Sequence, residues 1–311
     1  IIQGESEILY NIIEENNGFS KIEGLGDLKN LNLKSDFLGP NLDFNNGKLR
    51  FLIRPYDNSF SGFADIKTNN LNVEVNSIFN LTKLIELDVQ AFKSPKQDFN
   101  LKYEAENNKF SINANKLSLD SIDIFEEDNF KIENFELDLK INDFKIGDMK
   151  FSNSVIYAKK LNNFFKKIDV SLIGENDFHK LSISEKEENK KFILESNYIP
   201  GLLNILDLDF NINKGSIKIE GLKKENSENY EGAIAGKNIV FFDAPFLANF
   251  FSIFSLDGFA QKLKDGGIIF NNFNAKYKLE NDKFKVVDSL LKGSELGIQF
   301  DSVIGLNDDY F

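Results

Sequence analysis

Apolar and polar residues alternate one by one along much of this chain, and a period of two is what a β-strand with one buried and one wet face produces. In FELDLKIN, residues 135–142, Phe135, Leu137, Leu139 and Ile141 point one way while Glu136, Asp138, Lys140 and Asn142 point the other. Leu101 with Tyr103, Phe110 with Ile112, and Leu117 with Leu119 repeat the pattern, and the polar EAENN at 104–108 separates the first two pairs as a hairpin turn does. Charged and Asn-rich segments at 184–191, 223–229 and 280–282 mark further turns. At about one strand per 8–12 residues the chain holds on the order of twenty or more strands, too many for one compact sandwich. Helical periodicity is confined to residues 6–15, 77–87, a turn or two after Pro200, and 244–264. So few helices cannot cover both faces of so much sheet, which argues against a doubly wound α/β fold and for a mainly β one.

Charge narrows the partners. Lys plus Arg number 37 against 49 Asp plus Glu, a net charge of −12 that repels polyanions, so no nucleic acid is expected as a partner. Cysteine is absent, which removes disulfides, thiolate nucleophiles and Cys-ligated metals. The 32 Phe side chains fit an AT-rich coding bias, yet that much aromatic surface must be covered by something. No run approaches the roughly 18 apolar residues of a spanning helix, the densest being FFDAPFLANFFSIF at 241–254. The sole methionine is Met149 and the chain opens on Ile1, so the expectation is a fragment or processed product whose signal or anchor lies elsewhere.

The residue constellations that chemistry requires do not assemble in the sequence. His179 is the only histidine, alternating with apolar neighbours in NDFHKLSI, and a lone His builds neither a zinc site nor a triad. In DLDFNINKG, 207–215, oxygen-bearing residues stand at every second position, but the Gly and Glu of a calcium loop are replaced by Ile212 and Lys218. Gly24 and Gly26 lack the third glycine of a dinucleotide loop, position 29 being Lys29. Paired carboxylates such as Glu126 and Glu127 are expected by chance in so charged a chain. The expectation is a non-enzymatic protein with no catalytic residues, no metal and no cofactor.

One segment reads differently. Asp243 suits a helix N-cap with Pro245 in the first turn, and Ser255 can cap a second helix running through Phe259 and Leu263 to Gly266 and Gly267. This predicts a helix over 244–264 broken near 255–258. Phe246, Leu247, Phe250, Phe251, Ile253 and Phe254 surround most of its first half, so it must be buried as a plug on the end of the sheet or dip into a membrane surface.

The last third carries a specific order of features. It runs through NYIPGLLNILDLDFNINKGSIKIEG (197–221), then a strand into Asp243, Ala244 and Pro245 with Leu247 and Ala248. Ser255, Leu256 and Gly258 follow, then Gly267 and Phe270, and finally Gly293, Ser294, Leu296 and Gly297. This order resembles the AsmA-like C-terminal region of the family that includes AsmA, YhdP and TamB-related proteins. Lys214 stands where a glycine is usual, and 198–200 departs from the usual turn. The resemblance implies an elongated, curled antiparallel sheet (a β-taco) with a few short helices. Residues 1–195 would form its repetitive hairpin groove, and 196–311 the C-terminal region, truncated at its end. It also implies a periplasmic protein, held in the inner membrane by an N-terminal helix absent from this chain, that transfers phospholipid between inner and outer membrane in outer-membrane biogenesis. Phe135, Leu137, Leu139 and Ile141 would then face the lipid groove. The competing expectation is a β-rich scaffold or assembly factor for outer-membrane proteins whose apolar faces close on each other as ordinary core.

Overall fold

The structure, a computed structural model, describes the chain except residues 1, 4–6, 16–17, 29–31, 36–38, 44–46, 120–132, 187–188, 207, 209–210, 224–228, 243–246, 249–256, 281–282, 295 and 306–311. The described chain is mainly β, with two short helices. No described helix is long and apolar enough to cross a membrane. Chain contacts group into two units, one ending at Phe165 and the other beginning at Lys166. The boundary expected near residue 195 falls inside the second unit.

In the first unit, β2 (Glu7–Glu15), β3 (Gly18–Asp27), β6 (Lys48–Tyr56), β7 (Ser59–Lys67), β8 (Asn72–Phe79), β9 (Leu84–Lys93), β10 (Asp98–Glu104), β11 (Lys109–Leu119), β12 (Phe135–Ile146) and β13 (Met149–Leu161) pair in that order. Three shorter strands, β1 (Ile2–Gln3), β4 (Asn32–Ser35) and β5 (Gly39–Asp43), form a separate small sheet. In the second unit β14 (Phe164–Ile173, of which Phe164 and Phe165 belong to the first unit), β15 (Phe178–Lys186), β16 (Asn189–Ser196), β17 (Ile212–Lys223), β18 (Tyr230–Phe241), β19 (Ile268–Glu280), β20 (Lys283–Gly293) and β21 (Gly297–Gly305) form an antiparallel meander. The turn expected at 104–108 joins β10 to β11, while those expected at 184–191, 223–229 and 280–282 lie between consecutive strands with residues 187–188, 224–228 and 281–282 outside the described ones.

Three expectations need correction. Residues 7–15 form a strand rather than a helix, because Ile8, Tyr10 and Ile12 share one face at period two and pair with Gly26, Gly24 and Ile22. The segment 77–87 is the end of β8, a turn and the start of β9. There Asn80 Oδ1 accepts bonds from the backbone N–H groups of Thr82 and Lys83, and this Asx turn competes with a helix. The sheet is not wholly antiparallel either, since β11 and β12 run parallel with Phe110 opposite Leu137 and Ile112 opposite Leu139. A parallel neighbour needs a crossover of about a dozen residues, and the stretch from Leu119 to Phe135 supplies that length.

Helix α1 (Ile199–Ile205) opens with Pro200 in its first turn and buries Ile199, Leu202 and Ile205. Helix α2 (Asp257–Asp265) ends at Gly266 and Gly267, whose N–H groups both donate to the Lys262 carbonyl, with Gly267 at φ +82°. Leu247 and Ala248 are also helical, while the break expected near 255–258 falls largely on residues outside the described ones.

Candidate functional site: an apolar band on one sheet face

Cross-strand partners stand on the same face of a sheet, so the strand register defines rows. Across the first unit one row runs Tyr10, Gly24, Phe51, Ala64, Val75, Val89, Leu101, Ile112, Leu139 and Ile156. A parallel row holds Ile8, Gly26, Leu49, Ile66, Val73, Phe92, Phe99, Ala114, Ile141 and Ser154, and another holds Ile12, Ile22, Ile53, Gly62, Ser77, Leu87, Tyr103, Phe110, Leu137 and Ala158. None of these thirty side chains is charged. With strands about 4.8 Å apart the band extends on the order of 45 Å along the sheet.

The band is unevenly covered. From β6 to β10 its residues are half-buried, Val89 being an exception, and Ile8, Tyr10 and Ile12 on β2 are exposed. Toward β12 it closes: Leu139 and Ile141 are buried, as are Phe144 and Phe151, which pair at 6.4 Å. Phe135, Leu137, Leu139 and Ile141 therefore share one face, but two of the four lie in its covered part. Much of the band was missed in the sequence, because Gly24 and Gly26 on β3, Gly62 on β7 and Ser77 on β8 interrupt the apolar alternation on their strands. Glycine nevertheless fits the row: a Cβ on Gly24 would lie 2.3 Å from the Phe51 ring, which covers that position.

The opposite face is held by ion pairs. Arg50 donates from Nε and Nη2 to both carboxylate oxygens of Asp65, at 2.6 and 2.9 Å, and Lys67 lies 3.5 Å away. The Arg50 hydrogen bonds keep the buried Asp65 carboxyl below its usual range, against the opposing effect of burial. Glu136 bridges Lys109 and Lys159 at 3.5 and 3.3 Å.

A repeated irregularity marks the band. In β11, β12 and β13 the buried positions step by three, from Ala114 to Leu117, Ile141 to Phe144 and Phe151 to Ser154. Asn115, Asn142 and Asn153 stand at the steps. Asn153 has φ +52°, and Asn142 Nδ2 donates to Asn115 Oδ1 at 3.3 Å. In the second unit β18 steps from Gly236 to Ile239 and β20 from Val286 to Ser289, with Asn238 and Asp288 both at φ +51°. Asn and Asp tolerate this left-handed conformation better than other non-glycine residues.

The second unit repeats the apolar face but covers part of it. One row runs Leu172, His179, Ser196, Ile217, Gly236, Phe273, Leu291 and Ile298. Leu247 and Leu263 of α2 pack with Ile268, Phe270, Leu291 and Ile298, and Leu263 and Phe270 are 0 % exposed. Of the expected plug residues, Leu247 thus sits in a protein core, while Phe246, Phe250, Phe251 and Phe254 lie outside the described residues. Helix α1 lies over His179, since a Cβ on Gly201 would be 3.2 Å from the imidazole.

Asp177, His179 and Ser196 come together in space, which the sequence did not reveal. His179 Nδ1 lies 2.9 Å from Ser196 Oγ and Nε2 lies 3.6 Å from Asp177 Oδ2. The cluster also carries hydrogen bonds that tie chain segments together. Ser196 Oγ also lies 2.9 Å from the Tyr198 carbonyl, to which it donates, and accepts from the Tyr198 N–H at 3.1 Å. Both side chains are buried, and burial pushes the imidazole pKa down, with Asp177 pulling the other way. The group fastens the start of α1 to β15 and β16. Among the described residues no cluster of three or more His, Asp and Glu is arranged to hold a metal ion.

No known family model, curated protein or solved structure matches the chain.

Proposed function

We propose that the chain carries lipid by holding acyl chains along its apolar band, as the AsmA-like resemblance of its last third implies for a protein bridging the inner and outer membranes of a bacterial envelope. The observation that supports this most is the uncharged, three-row band left only partly buried from β6 to β10. Soluble proteins tolerate exposed apolar patches of only a few hundred Å², so a longer band calls for an apolar occupant. Each methylene removed from water contributes about 0.8 kcal/mol, enough to hold a chain while a smooth surface without charged hooks lets it slide. A left-handed residue inside a strand, as at Asn153 in the first unit, favours the local bend that a groove would need. In this reading the mechanism is partitioning and diffusion.

A closed-core scaffold is the second reading, favoured by the fully buried Leu263 and Phe270. Photo-crosslinking side chains decide between them. Probes replacing Val75 and Leu137 should capture phospholipid and probes replacing Glu74 and Asp138, on the other face, should not. Equal capture at all four positions, or none, sinks the lipid reading.

A further inference from the structure

The strands of the first unit place successive hairpin turns at two opposite rims, and the rims differ. At one rim lie the turns joining β6 to β7, β8 to β9, β10 to β11 and β13 to β14. Large apolar side chains project from three of them: Tyr56, Leu81, Leu84, Leu161 and Phe164 are exposed, Leu81 by 92 % and Phe164 by 68 %. Just inside the same rim the band is fringed with aromatic pairs, Phe60 with Phe79 at 5.9 Å, Tyr103 with Phe110 at 4.7 Å and Phe135 with Phe165 at 6.0 Å. At the opposite rim the described turn residues tuck their apolar groups in: Leu28 and Leu71 are buried against Leu49, Ile66, Val73 and Phe92.

We propose that the first rim rests on a lipid bilayer surface and that acyl chains enter the band across it; this rests on the lipid reading of the band. Single apolar tips on separate turns strung along one edge fit a plane, whereas a protein partner would be met by one contiguous patch. Aromatic and aliphatic tips beside lysines are what the headgroup boundary accepts, and Lys83 and Lys160 stand among them, Lys160 Nζ lying 5.9 Å from the Phe165 ring centroid. Glu104 and Glu106 occupy the β10–β11 end of the same rim, so the attraction is apolar and an uncharged bilayer suffices. The partly buried band directly behind the fringe gives an extracted chain somewhere to go.

Flotation with phosphatidylcholine vesicles tests this. The chain should float, and the double variant Leu81→Ser, Phe164→Ser should lose binding by about ten-fold or more with an unchanged melting temperature, both side chains being largely in water already. The control Leu9→Ser, Leu25→Ser removes two other largely exposed apolar groups, away from the rim, and should float like the parent. No flotation of the parent, unchanged flotation of the rim variant, or equal loss in the control overturns the proposal. A photoactivatable short-chain phosphatidylcholine, added without vesicles to the Val75 probe variant, separates the two ideas. Labelling there together with failed flotation removes the rim and leaves the band, while no labelling removes the band itself.

Discussion

The two units carry the same motif, rows of apolar side chains on one face of a meander, and treat it differently. In the first, the row through Phe51 and Val75 is half-buried across several consecutive strands. In the second, connections between strands return over the face: α1 after β16 covers His179, and Leu247 and α2 after β18 cover Phe270. The face alone thus does not decide whether it becomes core or surface. What decides is whether a connection is long enough and apolar enough to fold back. The turns joining β6 to β10 are a few residues each, while those after β16 and β18 carry buried leucines.

The largest test of this contrast is a pair of truncations. Phe270→Ala should cost about 3–5 kcal/mol in denaturant unfolding because it leaves a cavity in a closed cluster, whereas Phe51→Ala should cost about 1–2 kcal/mol because that ring is only partly buried and the space it leaves opens to water. Equal costs would break the distinction between open and covered faces.

Glycine substitutions sharpen it. A Cβ on Gly232 would lie 1.9 Å from the Glu220 carbonyl oxygen and 2.8 Å from the Tyr277 hydroxyl, so Gly232→Ala must move backbone and should cost about 3 kcal/mol. Tyr277 is wedged there, donating to Glu220 O at 3.2 Å, and burial pushes its pKa up to about 12. In the first unit the Cβ of Gly24→Ala meets the far end of the Phe51 ring at 2.3 Å and the Leu9 carbonyl oxygen only at 3.0 Å, so a side chain rather than backbone has to give and the cost should stay near about 1 kcal/mol. Thermal melts of the two variants check the difference.

The smallest expected effect is on pH dependence. The folded state depresses the His179 pKa below its ordinary 6.5, so it binds fewer protons than the unfolded chain at acid pH. Stability of the second unit is therefore full above about pH 6.5 and falls as pH drops through the depressed folded value. His179→Gln should flatten that part of the profile, measured as melting temperature from pH 7.5 to 5. An unchanged slope would show that the imidazole does not feel the cover of α1.

Much of the strand content was legible because alternation is strong where both faces are consistent, as in β12, where Phe135 to Ile141 reads without interruption. It failed at β2, where Ile12 and Ile13 are adjacent and look helical, and at 77–87, where Asn80 makes a turn from its own side chain. The band was only partly legible. Gly24, Gly26, Gly62 and Ser77 break the hydrophobic signal on their own strands, and only the neighbouring strands, through Phe51 over Gly24 and Phe79 beside Gly62, make those positions part of an apolar row.

The sequence by itself determined the strand-rich class, most of the turns and which residues of a clean strand share a face, because side chains in an extended chain alternate as a matter of local backbone geometry. Only the tertiary structure decided that β11 and β12 run parallel and that Asp177, His179 and Ser196 meet. It alone decided, too, which stretch of the apolar face lies open and which lies under α1 and α2. Those outcomes depend on register and on packing between residues far apart in the chain, and a period of two carries no information about either.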